Sequence, residues 1–261
     1  MWTLCGKTYS SRLITGSSLF TSPEVMSEAI AASGAELVTV AVRHGATKHH
    51  DVMATHRLLE ELGLDLLPAT AGCHLANDAV TTAYQARDLL GTAVIKLDIV
   101  GDETTSAPDT AAAMDATAKL LKQGFEVLPV TNGDVVAARR LVEAGCTTLL
   151  LRGSAGGAFR GLAHVLAMRD LRARLPDTAL IIDGGLDRPS EAALAMELGF
   201  DGVIIDEAIA LARDPITMAE AFADAVVAGR MGYEAGLKET LDASTSGHPL
   251  LGTPIWHTMP T

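Results

Sequence analysis

TALIIDGGLDRPSEAALAMELGFDGVIID, residues 178–206, holds two short apolar runs with a helical segment between them. TALIID (178–183) and DGVIID (201–206) are each bounded by turn-forming residues, the signature of a strand buried on both faces. Between them, Pro189-Ser190 opens a segment of helical period over 189–198, and Gly199 stands just beyond its end. Proline is tolerated in a first helical turn, and glycine suits the left-handed residue that stops a helix. Strand, helix and strand in this order make a βαβ unit with parallel strands.

The same punctuation extends in both directions. Strand-like runs lie at 11–16, 36–42, 64–69, 93–100, 125–130, 147–151, 178–183 and 201–206. Helical segments lie at 23–33, 51–62, 76–90, 109–123, 134–144, 161–174, 189–198 and 214–229. Eight strands, each followed by a helix, predict an α/β fold of the closed (β/α)8 TIM-barrel type. A doubly wound open sheet has the same linear count, but 261 residues is close to the roughly 250 usual for the closed barrel. One catalytic domain is expected over 1–235. The segment 236–261, rich in Ser, Thr, Pro and Gly, reads as an irregular tail.

With 48% hydrophobic and 20% charged residues, the chain can bury a large core. A net charge of −12 argues against nucleic acid or an anionic membrane surface as the main partner. No apolar run reaches the roughly 20 residues that span a bilayer, and MWTLCGKTYSSR lacks the apolar core of a signal peptide. Three cysteines without metal-ligand spacing, Cys5, Cys73 and Cys146, fit reduced thiols and a cytoplasmic location. His49-His50-Asp51 reads as a loop feeding a helix. Neither a catalytic metal nor a cofactor is expected.

In this architecture chemistry sits at the C-terminal ends of the strands. The fourth strand, AVIKLDIV (93–100), is informative there. Alternation puts Ile95, Leu97 and Ile99 on one face and Val94, Lys96, Asp98 and Val100 on the other. A lysine walled by aliphatic groups is discouraged from carrying charge, and a neutral amine can attack a carbonyl to form a Schiff base. Asp98, roughly 6–7 Å along the same face, could move protons for it, and so could Asp183 at the end of the seventh strand. Gly153-Ser154-Ala155-Gly156-Gly157 after the sixth strand and Gly184-Gly185 after the seventh are suited to cradle an anion with backbone N–H groups.

Longer blocks resemble the bacterial thiazole synthases of thiamin biosynthesis. They are SPEVMSEAIAASGAELVTVAVR (22–43), ATAGCHLANDAV (69–80), VIKLDIVGD (94–102), VLPVTNGDVVAARRLVEAGC (127–146) and IIDGGLDRPSEAALAMELGFDGVIIDEAIA (181–210). The resemblance implies a barrel lysine, here Lys96, that forms an imine with a sugar phosphate. It implies sulfur delivered as a thiocarboxylate on the C-terminus of a small ubiquitin-like carrier protein, and a homo-oligomer. By position Asp98 takes the place of a glutamate, Asp183 matches a proton-transferring aspartate, and Gly157, Gly184 and Gly185 fall on phosphate-contacting positions.

The departures from that pattern cluster around the pocket. A Pro-Leu-Gly loop after the sixth strand is replaced by LRGSAGGAFRG (151–161), and Asn-Thr after the eighth by Asp206-Glu207. Carboxylates repel phosphate but accept hydrogen bonds from sugar hydroxyls, while Arg152 and Arg160 could hold phosphate from another angle. The expected activity is therefore sulfur transfer in the divergent 2-thiosugar branch, on a hexose 6-phosphate such as glucose 6-phosphate. Thiamin thiazole synthesis from 1-deoxy-D-xylulose 5-phosphate, a Schiff-base aldolase and a non-catalytic binding barrel are the alternatives.

Overall fold

The structure, a computed structural model, describes residues 1–43, 49–153, 162 and 165–237. Two short strands come first, β1 (Trp2–Leu4) and β2 (Lys7–Tyr9), paired antiparallel. β3 (Leu13–Gly16) leads to α1 (Pro23–Ser33), and β4 (Leu37–Arg43) to α2 (His49–Glu61). β5 (Asp65–Ala71) leads to α3 (Ala76–Leu90). β6 (Val94–Leu97) is followed by a second hairpin, β7 (Val100–Asp102) with β8 (Ala107–Pro108), and then by α4 (Thr110–Leu121).

The alternation continues with β9 (Glu126–Thr131) and α5 (Val135–Glu143), then β10 (Thr148–Leu151) and α6 (Val165–Arg174). β11 (Ala179–Asp183) and α7 (Pro189–Glu197) follow. β12 (Gly202–Ile205) is the last strand, succeeded by the one-turn α8 (Glu207–Ala210) and the long α9 (Pro215–Ala235). Eight parallel strands close in the order β3-β4-β5-β6-β9-β10-β11-β12, and β12 pairs back to β3 with Ile204 opposite Ile14. The chain is a (β/α)8 barrel, as its strand count predicts.

Local chemistry explains the boundaries. Ser22, Asp109, Asp134 and Asp214 each accept a hydrogen bond from a first-turn backbone N–H, at 3.3, 2.9, 2.8 and 3.1 Å. Each such cap contributes about 1 kcal/mol. At the other end of α1, Gly34 takes the left-handed conformation with φ 61° and returns its N–H to Ala31.

Ile14, Leu37, Leu67, Leu128, Leu150, Ile181 and Ile204 fill the lower barrel, none more than 7% exposed. Trp2, Leu4 and Tyr9 belong to the same cluster, so the β1–β2 hairpin plugs the N-terminal end. Trp2 Nε1 donates to the Ser11 carbonyl at 2.7 Å, which satisfies the one polar atom of the plug's largest side chain. Outward-facing Ile95, Leu97 and Ile99 pack instead against α3 and α4. With the bottom and middle closed by aliphatic groups, the ionisable inward residues lie at the C-terminal mouth.

The expected strand 93–100 is shorter in the structure. Thr70 Oγ1 accepts from the Asp98 N–H at 2.9 Å and donates to the Asp98 carbonyl at 2.8 Å. This side chain satisfies the backbone where a ladder partner would, and the chain leaves the barrel to form the β7–β8 hairpin. The last helix is longer than the expected 214–229 and runs to Ala235. Residues 238–261, most of the expected tail, lie outside the described residues, and so do Gly157 and Arg160. Among the described residues no helix is long and apolar enough to cross a membrane.

Candidate active site

A cavity of about 330 Å³ opens at the C-terminal mouth of the barrel. Its floor and walls carry Lys96 from β6, Arg152 just after β10, Asp183 at the end of β11 and Asp206 just after β12. Gly184, Gly185, Asp187 and Glu207 line it from the last two loops, and Thr105 and Ser106 reach it from the β7–β8 turn.

Lys96 is 9% exposed and donates through Nζ to Asp183 Oδ1 at 2.5 Å. Arg152 Nη2 donates to both oxygens of Asp98, at 3.1 and 2.9 Å, while its Nη1 stands 3.6 Å from Asp183 Oδ2. The cations and carboxylates thus form one line, Lys96–Asp183–Arg152–Asp98. Asp98 shares the inward face with Lys96, as strand alternation predicts, but its partner is Arg152. The group that Lys96 touches is Asp183.

Electrostatics follow from these contacts. Burial by itself would raise the Asp183 carboxyl, yet the Lys96 and Arg152 cations outweigh it and hold the group below the ordinary carboxylate range. Burial likewise works against the Arg152 charge, but Asp183 and Asp98 overcome it and strengthen the guanidinium. Asp206 goes the other way. Burial, reinforced by Glu207 and Asp183 and only partly offset by Lys96 and by a hydrogen bond from the Ser18 backbone N–H, pushes its carboxyl up to about 6. Asp187 is raised in the same direction by burial and by Glu191 and Glu207.

The glycine pair after β11 is only partly available to an anion. Gly184 and Gly185 both have positive φ, 69° and 74°, a conformation open to glycine at no steric cost. Gly184 donates its N–H to the Ile204 carbonyl at 3.2 Å and accepts from the Gly153 N–H at 3.2 Å. An anion here would rely on Gly185 and on Arg152.

Sequence reasoning did not single out Gly16. A Cβ at that position would lie 2.1 Å from Asp206 Cγ and 2.3–2.5 Å from its carboxylate oxygens. The space left by the missing side chain at the end of β3 is filled by Asp206. The only local hint is a glycine ending a strand run, in LITGSS. Cysteine chemistry is not favoured by the surroundings. Burial pushes the Cys5 and Cys146 thiols up to about 12 and also raises that of Cys73. Among the described residues no three His, Cys, Asp or Glu side chains are grouped to hold a metal ion.

Comparison with known proteins gives the family. The family described as "Thiazole biosynthesis protein ThiG" matches residues 3–249. A curated thiazole synthase of Rhodopseudomonas palustris is 47% identical over 98% of this chain and 99% of its own. One from Bradyrhizobium is 46% identical over 96% of each chain. Among solved structures, a chain of the Amycolatopsis orientalis BexX/CysO complex superposes with a TM-score of 0.83 and 28% identity, over 92% of this chain and 98% of that one. The chain therefore belongs to the thiazole synthase family of sulfur-transferring enzymes.

Proposed function

We propose that Lys96 forms an imine with a sugar phosphate and that sulfur is then inserted from a thiocarboxylated small carrier protein. The observation that carries this reading is the buried Lys96 amine, aimed into the cavity and bonded to a carboxylate able to take its proton, Asp183. Once neutral, the amine attacks the sugar carbonyl, and loss of water leaves an iminium beside the Asp183 carboxylate. A proton shift moves carbonyl character to the neighbouring carbon. The thiocarboxylate sulfur adds there, and water hydrolyses the acyl–sulfur bond, releasing the carrier as its carboxylate and leaving sulfur on the sugar. The likeness to a chain solved in a BexX/CysO complex supports a protein partner.

The favoured substrate is a hexose 6-phosphate such as glucose 6-phosphate, and the product a 2-thiosugar phosphate. Asp206 and Glu207 line the cavity and can accept hydrogen bonds from a polyhydroxyl chain. Arg152 and Gly185 line the same cavity and can hold the phosphate, and Arg160, outside the described residues, is a further candidate from the sequence. The thiazole reading, with 1-deoxy-D-xylulose 5-phosphate as substrate, is favoured by one observation, the 47% identity to a curated thiazole synthase over almost the whole chain.

The test is reductive trapping. Purified protein is incubated with each sugar phosphate in turn, treated with borohydride and read by intact mass and peptide mapping. A Lys96 adduct from glucose 6-phosphate alone supports the thiosugar reading, and one from deoxyxylulose phosphate alone supports the thiazole reading. No adduct at Lys96 from either overturns the shared imine mechanism.

A further inference from the structure

Among the described residues, the two cations that line the cavity are already engaged. Lys96 bonds Asp183, and Arg152 bonds Asp98 while facing Asp183. Among the described residues Asp206 forms no ion pair and its Oδ1 is buried with no hydrogen-bond partner, although the Ser18 backbone N–H favours the carboxylate. The carboxylate occupies the space that Gly16 leaves by having no side chain. Among the described residues the charged groups facing it are Lys96 from β6, Asp183 from β11 and Glu207 from its own segment, and Arg152 and Asp187 line the same cavity. A buried carboxylate among like charges, with one oxygen lacking a donor, is costly, and a proton on that oxygen relieves it.

From this geometry we infer that Asp206 is a catalytic acid of the imine chemistry, a proton carrier set beside the ionised Asp183. The inference rests on the Schiff-base reading and assigns a role within it. Two carboxyls with opposite protonation preferences in one pocket divide acid and base work between them. Asp183 is drawn below the ordinary range and Asp206 is raised to about 6, which agrees with that division.

The iminium on Lys96 acidifies the hydrogen on the adjacent hydroxyl-bearing carbon, and Asp183 removes it, leaving a neutral enaminol. Protonated Asp206 then delivers its proton to the former imine carbon. The enol oxygen becomes a carbonyl as its own proton passes to Asp206, which is thereby restored. The net change is one proton gained by Asp183 and the iminium charge lost, with no oxidant or reductant required. The same sequence serves an aldose or a ketose, so the choice of sugar does not decide it.

Deuterium uptake at the former imine carbon, normalised to the fraction trapped at Lys96, tests the assignment. In the wild-type protein the normalised rate should fall as pH rises past about 6, because the acid form is the active one. In Asp206→Asn the Lys96 adduct should still form, while uptake falls by about 100-fold and loses that descending limb. Uptake within a few-fold of wild type with the same pH profile overturns the inference and leaves the imine reading intact. A substrate-free measurement covers the remaining cases, namely a variant that fails to fold or a protein that traps neither glucose 6-phosphate nor deoxyxylulose phosphate. Carboxyl carbon NMR of the wild-type chain should show an aspartate titrating near pH 6, and its absence overturns the inference whatever the variant does.

Discussion

Lys96 Nζ lies 2.5 Å from Asp183 Oδ1, across the barrel and 87 residues away in sequence. Both side chains are withdrawn from solvent, at 11% and 3% exposure, so the pair is a buried ion pair whose partners depend on one another. Breaking such a pair by deleting one partner leaves an uncompensated charge. Arg152 remains near Asp183 and limits the damage. Lys96→Ala should therefore abolish imine trapping and lower stability at neutral pH by about 2–3 kcal/mol. Lys96→Met, which fills the same volume without the charge, should be equally inactive. Intact-mass analysis after borohydride and urea melts on the same samples read the two effects. Retained trapping at another lysine would show that this lysine is not the nucleophile.

Arg152 ties Asp98 and Asp183 together, and its loss should be felt at both. Arg152→Leu removes the guanidinium and leaves an apolar side chain at this position. Asp183 loses a cation that lowers its affinity for protons and should titrate at higher pH. Asp98 loses both of its hydrogen bonds from the guanidinium. In a cycle of Arg152→Leu, Asp98→Ala and the double variant, the double should be less destabilised than the sum of the singles by about 1–2 kcal/mol. Strict additivity in urea melts would mean that the contact has no energetic content.

The raised Asp206 carboxyl makes stability depend on pH in a particular direction. Its ordinary value is 3.8, and in the fold it stands at about 6. Between these values the folded protein holds a proton that the unfolded chain has released, so this group's contribution falls as pH rises across the window. The contribution is fully present below about pH 4 and lost above about pH 6. Asp206→Asn removes the titration. The variant should gain about 1–2 kcal/mol relative to wild type at pH 8 and nothing at pH 4. Equal differences at the two pH values would show that Asp206 titrates normally.

The strands and helices were largely legible because their signals are local. Ser22, Asp109 and Asp214 cap helices from within a few residues, and alternation along 93–97 sets the facing of Lys96 without reference to the rest of the chain. The β1–β2 plug was not legible. Its strands have three residues each, and its turn depends on positive φ at Cys5 and Gly6. The true partner of Asp98 was hidden for a different reason. Arg152 lies 54 residues further on, and only barrel closure decides that it, rather than Lys96, meets Asp98. The role of Gly16 was hidden similarly, since Asp206 reaches it only when β12 pairs with β3.

That last contact makes a steric prediction. A methyl group at residue 16 would overlap the Asp206 carboxylate, with Cγ 2.1 Å away. Gly16→Ala must displace either the carboxylate or the strand end, and overpacking of this kind costs about 1–3 kcal/mol. The obstruction consists of the Asp206 atoms beyond Cβ, so Asp206→Ala removes it. Gly16→Ala should therefore be much less destabilising in the Asp206→Ala background than in the wild-type chain. Urea midpoints of the four proteins measure this directly. An alanine at position 16 that costs the same in both backgrounds would mean that the strand backbone, and not the carboxylate, requires glycine.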